Sequence, residues 1–172
     1  MPAPDPTAAA PGGHDGGCLC GAVRFRATAE PLQTTICHCT FCQRLTGSAY
    51  LVEPIFKMQD VVFSGAEPKV YERPSSGSGK TVRVNFCGAC GTTLFLSFER
   101  FPTVLGLCGG AFDDPSWFER GPSHGQHIFT RHAQPGVVLP AGVQIYEDHA
   151  LGLDGSSNPS RIFAQPIAAT EL

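Results

Sequence analysis

Seven of the eight cysteines fall into three tight groups: Cys18-x-Cys20, Cys37-x-Cys39-x-x-Cys42 and Cys87-x-x-Cys90. A two-residue gap lets one turn aim two sulfurs at a single ion, so paired thiols at this spacing point to metal binding. A Gly just behind such a pair lets backbone N–H groups turn in toward the sulfurs. Gly21 follows Cys20 and Gly91 follows Cys90, whereas Gln43 follows Cys42. Thiolate is a soft ligand, which excludes hard cations and favours zinc or an iron–sulfur centre.

Two partitions of these thiols are open. A single zinc ribbon of Cys39, Cys42, Cys87 and Cys90 leaves Cys18, Cys20 and Cys37 without a task. A split of four plus three uses all seven. Cys18, Cys20, Cys87 and Cys90, the pairs that end in Gly, make a closed structural set. Cys37, Cys39 and Cys42 make an open set with one position left for water or substrate. Two divalent ions also relieve the mutual repulsion of clustered thiolates. The eighth thiol, Cys108 in "GLCGGAFDD", reads either as a small buried side chain or as a ligand that caps the open ion when substrate is absent.

Near the open set, Arg44 has the planar fork to hold a carboxylate bidentately, or is an exposed turn residue. Phe41 reads as a pocket wall or as plain core. His38, between two thiols, reads as solvent-facing or bonded to the backbone. His127 reads as a half-buried strand residue.

The elements that must carry these residues are strands. Val23, Phe25 and Ala27 alternate with Arg24 and Arg26, the period-2 pattern of a strand with one wet face. Further strands are expected over 49–56, 60–64, 69–73, 81–86, 92–98, 103–107 and 126–130. Turn-forming stretches such as "SGAEP" and "RPSSGSGK" separate them. Helix is expected only as short turns over 40–45 and 115–119. The chain has 172 residues with 20 Gly and 15 Pro, a balance that suits one domain of short strands. Residues 1–15 read as a disordered Pro/Ala/Gly tail, 16–150 as the metal-binding β domain, and 151–172 as an extension, wrapped or partly disordered.

A net charge of −3 leaves no basic footprint for nucleic acid or an anionic membrane. No apolar run approaches the ~20 residues that span a bilayer. The first residues lack the charged and apolar regions of a secretory signal, so a cytoplasmic address is expected. In a reducing compartment, clustered thiols are metal ligands more often than disulfides.

Taken together, "GGCLCGAVRF" (16–25), "CHCTFCQRLTGS" (37–48), "SSGSGKTVRVNFCGACGTTLFL" (75–96), "LGLCGGAFDDPSWF" (105–118) and "HIF" (127–129) resemble the glutathione-dependent formaldehyde-activating enzyme family. That family includes the domain found in centromere protein V, and the resemblance runs from about residue 14 to residue 147. It implies an all-β, tent-like arrangement of antiparallel sheets around a structural zinc. It also implies two zinc sites: Cys18, Cys20, Cys87 and Cys90 as structural ligands, and Cys37, Cys39 and Cys42 as the catalytic set. The implied activity is formation or cleavage of S-hydroxymethylglutathione from glutathione and formaldehyde. Two alternatives are a carbon–sulfur lyase acting on another glutathione conjugate or thiol adduct, and a zinc-stabilised binding module without catalysis.

Overall fold

A computed structural model describes residues 12–172, and its first strand β1 (His14–Gly17) pairs antiparallel with β2 (Val23–Ala27). The expected tail reached residue 15, but His14 and Asp15 belong to β1. The rest of that expectation, residues 1–11, lies outside the described residues. Strand β2 also pairs with β5 (Val61–Gly65), giving a three-stranded sheet.

The larger sheet has eight strands in the order β12–β10–β3–β4–β9–β8–β7–β6. Its members are β3 (Gln33–Cys37), β4 (Leu51–Lys57), β6 (Lys69–Pro74), β7 (Thr81–Phe86), β8 (Thr93–Phe98), β9 (Val104–Leu107), β10 (Gly125–Ile128) and β12 (Gln144–Ile145). Its pairings are antiparallel except at β10, which runs parallel to both β3 and β12. Strand β4 lies inside the sheet yet contains Pro54, which has no N–H to donate. Pairing with β9 begins only at Ile55, one residue later.

Register decides which side chains share a face. One face of the large sheet presents Val52 and Phe56 from β4 and Leu105 and Leu107 from β9 toward the three-stranded sheet. There they pack with Val23, Phe25, Ala27 and Val61. Phe25 lies edge-on to Phe63, which in turn sits 4.6 Å from Phe95. Each fully buried Phe or Leu of this set is worth about 1.5–3 kcal/mol over its exposed state. The opposite face carries Cys37, Leu51, Val84, Leu96 and Ile128 and is covered by Phe41, Leu45 and Tyr146.

The one α-helix among the described residues, α1 (Thr40–Thr46), begins shortly after β3. Cys39 is its N-cap, with Sγ accepting the Cys42 N–H at 3.3 Å, and Gly47 ends it at φ 64°. The helix expected over 115–119 does not form. Asp114 instead accepts the Ser116 N–H at 2.9 Å, so its carboxylate closes a turn rather than capping a helix. The strand expected over 126–130 stops at Ile128, because Phe129 takes the left-handed conformation at φ 56°. The 151–172 segment lies against residues 137–147 through β11 (Val138–Leu139) paired with β13 (Ile167–Ala168), and through reciprocal Ile145–Arg161 backbone bonds. No helix among the described residues is long and apolar enough to cross a membrane.

Candidate metal centres

Two hairpin-like turns bring the first set of thiols together, and both are closed in the same way. The Cys18 N–H reaches the Val23 carbonyl at 3.0 Å and the Cys87 N–H reaches the Thr92 carbonyl at 2.9 Å. Gly21 and Gly91 provide the left-handed residue in each, at φ 75° and 76°, a conformation most side chains resist. The Leu19 N–H donates to Thr92 Oγ1 at 3.2 Å, which ties the two turns to each other.

The four sulfurs of Cys18, Cys20, Cys87 and Cys90 consequently lie within 4.8 Å of one another. Cys18 Sγ is 3.5 Å from Cys20 Sγ, which is 3.7 Å from Cys87 Sγ. These gaps are too long for a disulfide. They are close to the ~3.8 Å edge of a tetrahedron whose corners stand about 2.3 Å from a zinc ion. Cys18 and Cys87 are buried in the core between the sheets, while Cys20 and Cys90 lie at the surface. The Val23 N–H donates to Cys18 Sγ at 3.2 Å, and the Thr92 hydroxyl and N–H hold the Cys90 thiol down to about 5.

The second set forms where β3 runs into α1. Cys37 ends the strand, Cys39 caps the helix and Cys42 lies one turn in, so a strand-to-helix corner folds three sulfurs to within 4.8 Å. The Cys37 and Cys42 thiols hydrogen-bond to Cys39 and pull it down to about 3, while Cys37 and Cys42 are themselves pushed up. The three sulfurs thus oppose one another's ionisation, a repulsion that a cation would relieve. The ribbon partition is excluded, since Cys39 and Cys42 do not gather with Cys87 and Cys90. Both clusters suit a soft divalent ion such as zinc.

Around the three-thiol corner, Gln43 Nε2 donates to the carbonyls of His38 at 2.6 Å and His132 at 2.8 Å. His38 is fully buried, with Nε2 3.0 Å from His127 Nδ1. Burial holds both imidazoles down to about 4, His127 further lowered by His38. Both are therefore neutral at physiological pH, and His38 is closed off from solvent with Nε2 turned to His127. Arg44 is exposed on α1 and lines a shallow groove of about 450 Å³ with Thr40, Gln43 and Gln134. Phe41 is half-buried on the sheet, and Arg73 of β6 stands over its ring at 5.5 Å.

Sequence reasoning missed Arg73, because β6 reaches Phe41 only through the fold. It also missed Glu53 on β4, which is 6 % exposed with Oε1 lacking any hydrogen-bond partner. Burial, and then the charge of Cys39, push that carboxyl up to about 8. Cys108 is not one of the three gathered sulfurs. It packs beside Cys37 and Cys42, and burial followed by the Glu53 charge pushes it up to about 12. Cys108 also lines a cleft of about 810 Å³ that extends past Leu45, Leu51 and Gly110 to Cys18.

The model of the glutathione-dependent formaldehyde-activating enzyme family matches residues 13–132. A Halomonas elongata protein named as a glutathione-dependent formaldehyde-activating enzyme is 28 % identical over 102 residues, covering 58 % of this chain and 65 % of the relative. An uncharacterized lyase of Schizosaccharomyces pombe is 29 % identical over 89 residues, covering 49 % of this chain and 58 % of the relative. The chain thus spans less than two thirds of the length of these relatives. A crystal structure of a Rhodobacter sphaeroides protein aligns with a TM-score of 0.46 and 20 % identity, covering 58 % of this chain and 87 % of that one.

Proposed function

The chain belongs to the glutathione-dependent formaldehyde-activating enzyme family, and from that premise we propose that its three-thiol corner is the catalytic centre of a zinc-dependent carbon–sulfur lyase. Its reaction joins glutathione to formaldehyde as S-hydroxymethylglutathione, or cleaves that adduct. The observation that carries this reading is the division of seven thiols, among the described residues, into a closed set of four and a set of three that Cys108, buried in the same cluster, does not join. In this reading Cys18, Cys20, Cys87 and Cys90 hold a structural ion. Cys37, Cys39 and Cys42 hold a second ion with a position left for the substrate sulfur. Bound there, zinc would supply the positive charge that keeps a thiol deprotonated at neutral pH.

The protein's own contribution is placement. Formaldehyde and thiols combine unaided, so holding the two reactants at attack distance supplies much of the rate gain needed. Cys39 is held by its cap bond and Cys42 by the first turn of α1, so the fold itself brings the corner together. Glutathione carries two carboxylates. Arg44 on α1 and Arg73 over the Phe41 ring are the cations proposed to meet them, with Phe41 as a pocket wall. Neither arginine makes an ion pair with a carboxylate among the described residues.

Mixing formaldehyde and glutathione with the zinc-loaded protein and following the hydroxymethyl signal by NMR tests the activity. Acceleration over the uncatalysed addition is expected. No acceleration with formaldehyde, but cleavage of another glutathione conjugate from a panel, assigns the same chemistry to a different adduct. Elemental analysis is expected to find two zinc ions per chain, and X-ray absorption a sulfur shell at about 2.3 Å. One ion per freshly purified chain refutes the two-site reading. Arg73→Gln is expected to raise KM for glutathione about fivefold, the effect of losing about 1 kcal/mol at a half-exposed charge pair. It leaves turnover of 2-mercaptoethanol, which has no carboxylate, unchanged. Equal effects on both thiols remove Arg73 from substrate binding.

A further inference from the structure

Resting on that reading of the three-thiol corner, we propose that Glu53 is the proton carrier of the reaction. It would receive the proton released by the incoming thiol and deliver it to the oxygen of the aldehyde. Cross-strand register places the residue. Glu53 is opposite Thr35, and Leu51, two residues along, is opposite Cys37, so Glu53 and Cys37 share one face of the sheet. One such step along a strand is about 7 Å. The glutamate therefore lies one level below the thiol corner, which α1 carries over the same face.

Two features show that this face is built around a carboxyl group. The first is Gly106 of β9, opposite Ile55. A Cβ at that position would come within 2.1 Å of Glu53 Oε1, so the carboxyl fills the space that the glycine leaves. The second is the missing partner. Gln126 Nε2 satisfies Thr35 at 3.0 Å, yet Oε1 of the neighbouring glutamate has nothing to bond. A buried carboxyl oxygen without a partner costs stability, of which an apolar residue of similar size would be free. A hydroxyl or carbonyl oxygen of a small substrate would satisfy it.

The chemistry balances without a further reactant. Starting from the ionised form of Glu53, which grows as pH rises toward 8, the thiol proton passes to its carboxylate and leaves a thiolate. A carbon–sulfur bond forms as the thiolate electron pair attacks the aldehyde carbon and the carbonyl π pair moves onto oxygen. That oxygen takes the proton from Glu53 Oε1 and becomes the hydroxyl of the product, and the carboxylate is restored. Cleavage runs the same path backwards, with Glu53 first accepting the hydroxyl proton.

The test uses Glu53→Gln in the zinc-loaded protein, because glutamine keeps the shape. Expected are an approximately 100-fold fall in kcat, the low end of what a positioned acid or base supplies, with unchanged KM for glutathione, zinc content and melting temperature. Infrared difference spectra on adding glutathione alone should show a carboxyl band change in the parent protein that is absent in the variant. Gly106→Ala, which displaces the carboxyl, should lower kcat in the same direction. Wild-type kcat in Glu53→Gln overturns the proposal, and so does a loss of zinc or stability that accounts for the fall. A parent protein inactive on formaldehyde sinks the functional reading. The infrared band then judges Glu53 separately: no change on adding thiol ends its role.

Discussion

A Cys87→Ser protein will melt roughly 6–16 °C below the parent and lose its fold to a chelator at concentrations the parent survives. Cys87 is 1 % exposed and sits among Phe25, Leu94 and Leu107 while pointing its sulfur at Cys20. A structural zinc site supplies about 10–16 kcal/mol of apparent binding energy, available only to the folded chain. Losing one of four thiolates removes about a quarter of it, or about 3–4 kcal/mol. A domain of this size moves by about 2–4 °C for each kcal/mol. The affected join is the one between the β1–β2 hairpin and the β7–β8 hairpin, which among the described residues share the Leu19–Thr92 hydrogen bond as well. Thermal unfolding by circular dichroism, with and without chelator, reads both effects. A melting temperature within about 2 °C of the parent would mean that the four-thiol cluster is not what fastens the two hairpins.

Cys39→Ser will do the opposite: the fold stays and thiol-dependent turnover falls at least 100-fold. Cys39 has two jobs, as one of three gathered sulfurs and as N-cap of α1. Serine is among the best N-cap residues, so the helix keeps its cap at no cost. What the hydroxyl cannot do is share a thiolate charge with Cys37 and Cys42, since it does not ionise near neutral pH. The expected protein therefore melts within a few degrees of the parent, holds one zinc per chain and does not accelerate adduct formation. Full activity in this variant would remove the corner from catalysis. A large fall in melting temperature would instead make the corner a second structural site.

The division of the thiols was readable because local turn chemistry sets it: a Gly behind each closed pair, none behind Cys42. Strand β2 was readable because its two faces differ in polarity. Strand β3 was not foreseen, although Thr34, Thr35 and Ile36 are all β-branched. It is buried on both faces and so shows no alternation. Its parallel pairing with β10, distant in sequence, is a tertiary fact that periodicity does not carry. Glu53 was hidden for a related reason. In sequence it is an acidic residue in a mixed strand, and only the cross-strand neighbours Thr35 and Gly106 give it a site. Arg73 became visible only once β6 had been laid along β7.

The two thiol clusters differ in one more respect. The corner is closed by a handful of residues, whereas Cys20 and Cys87 are 67 positions apart. Closing the longer loop costs about 2 kcal/mol more chain entropy. During synthesis the three thiols of the corner are in the chain before Cys87 is added. In the proposed two-ion reading the corner is therefore complete first, and the four-thiol set is complete only when the β7–β8 hairpin is made. On that reading the order of loading would run from reactive to structural, and a chain starved of zinc during synthesis would have its chemistry armed before its architecture is secured.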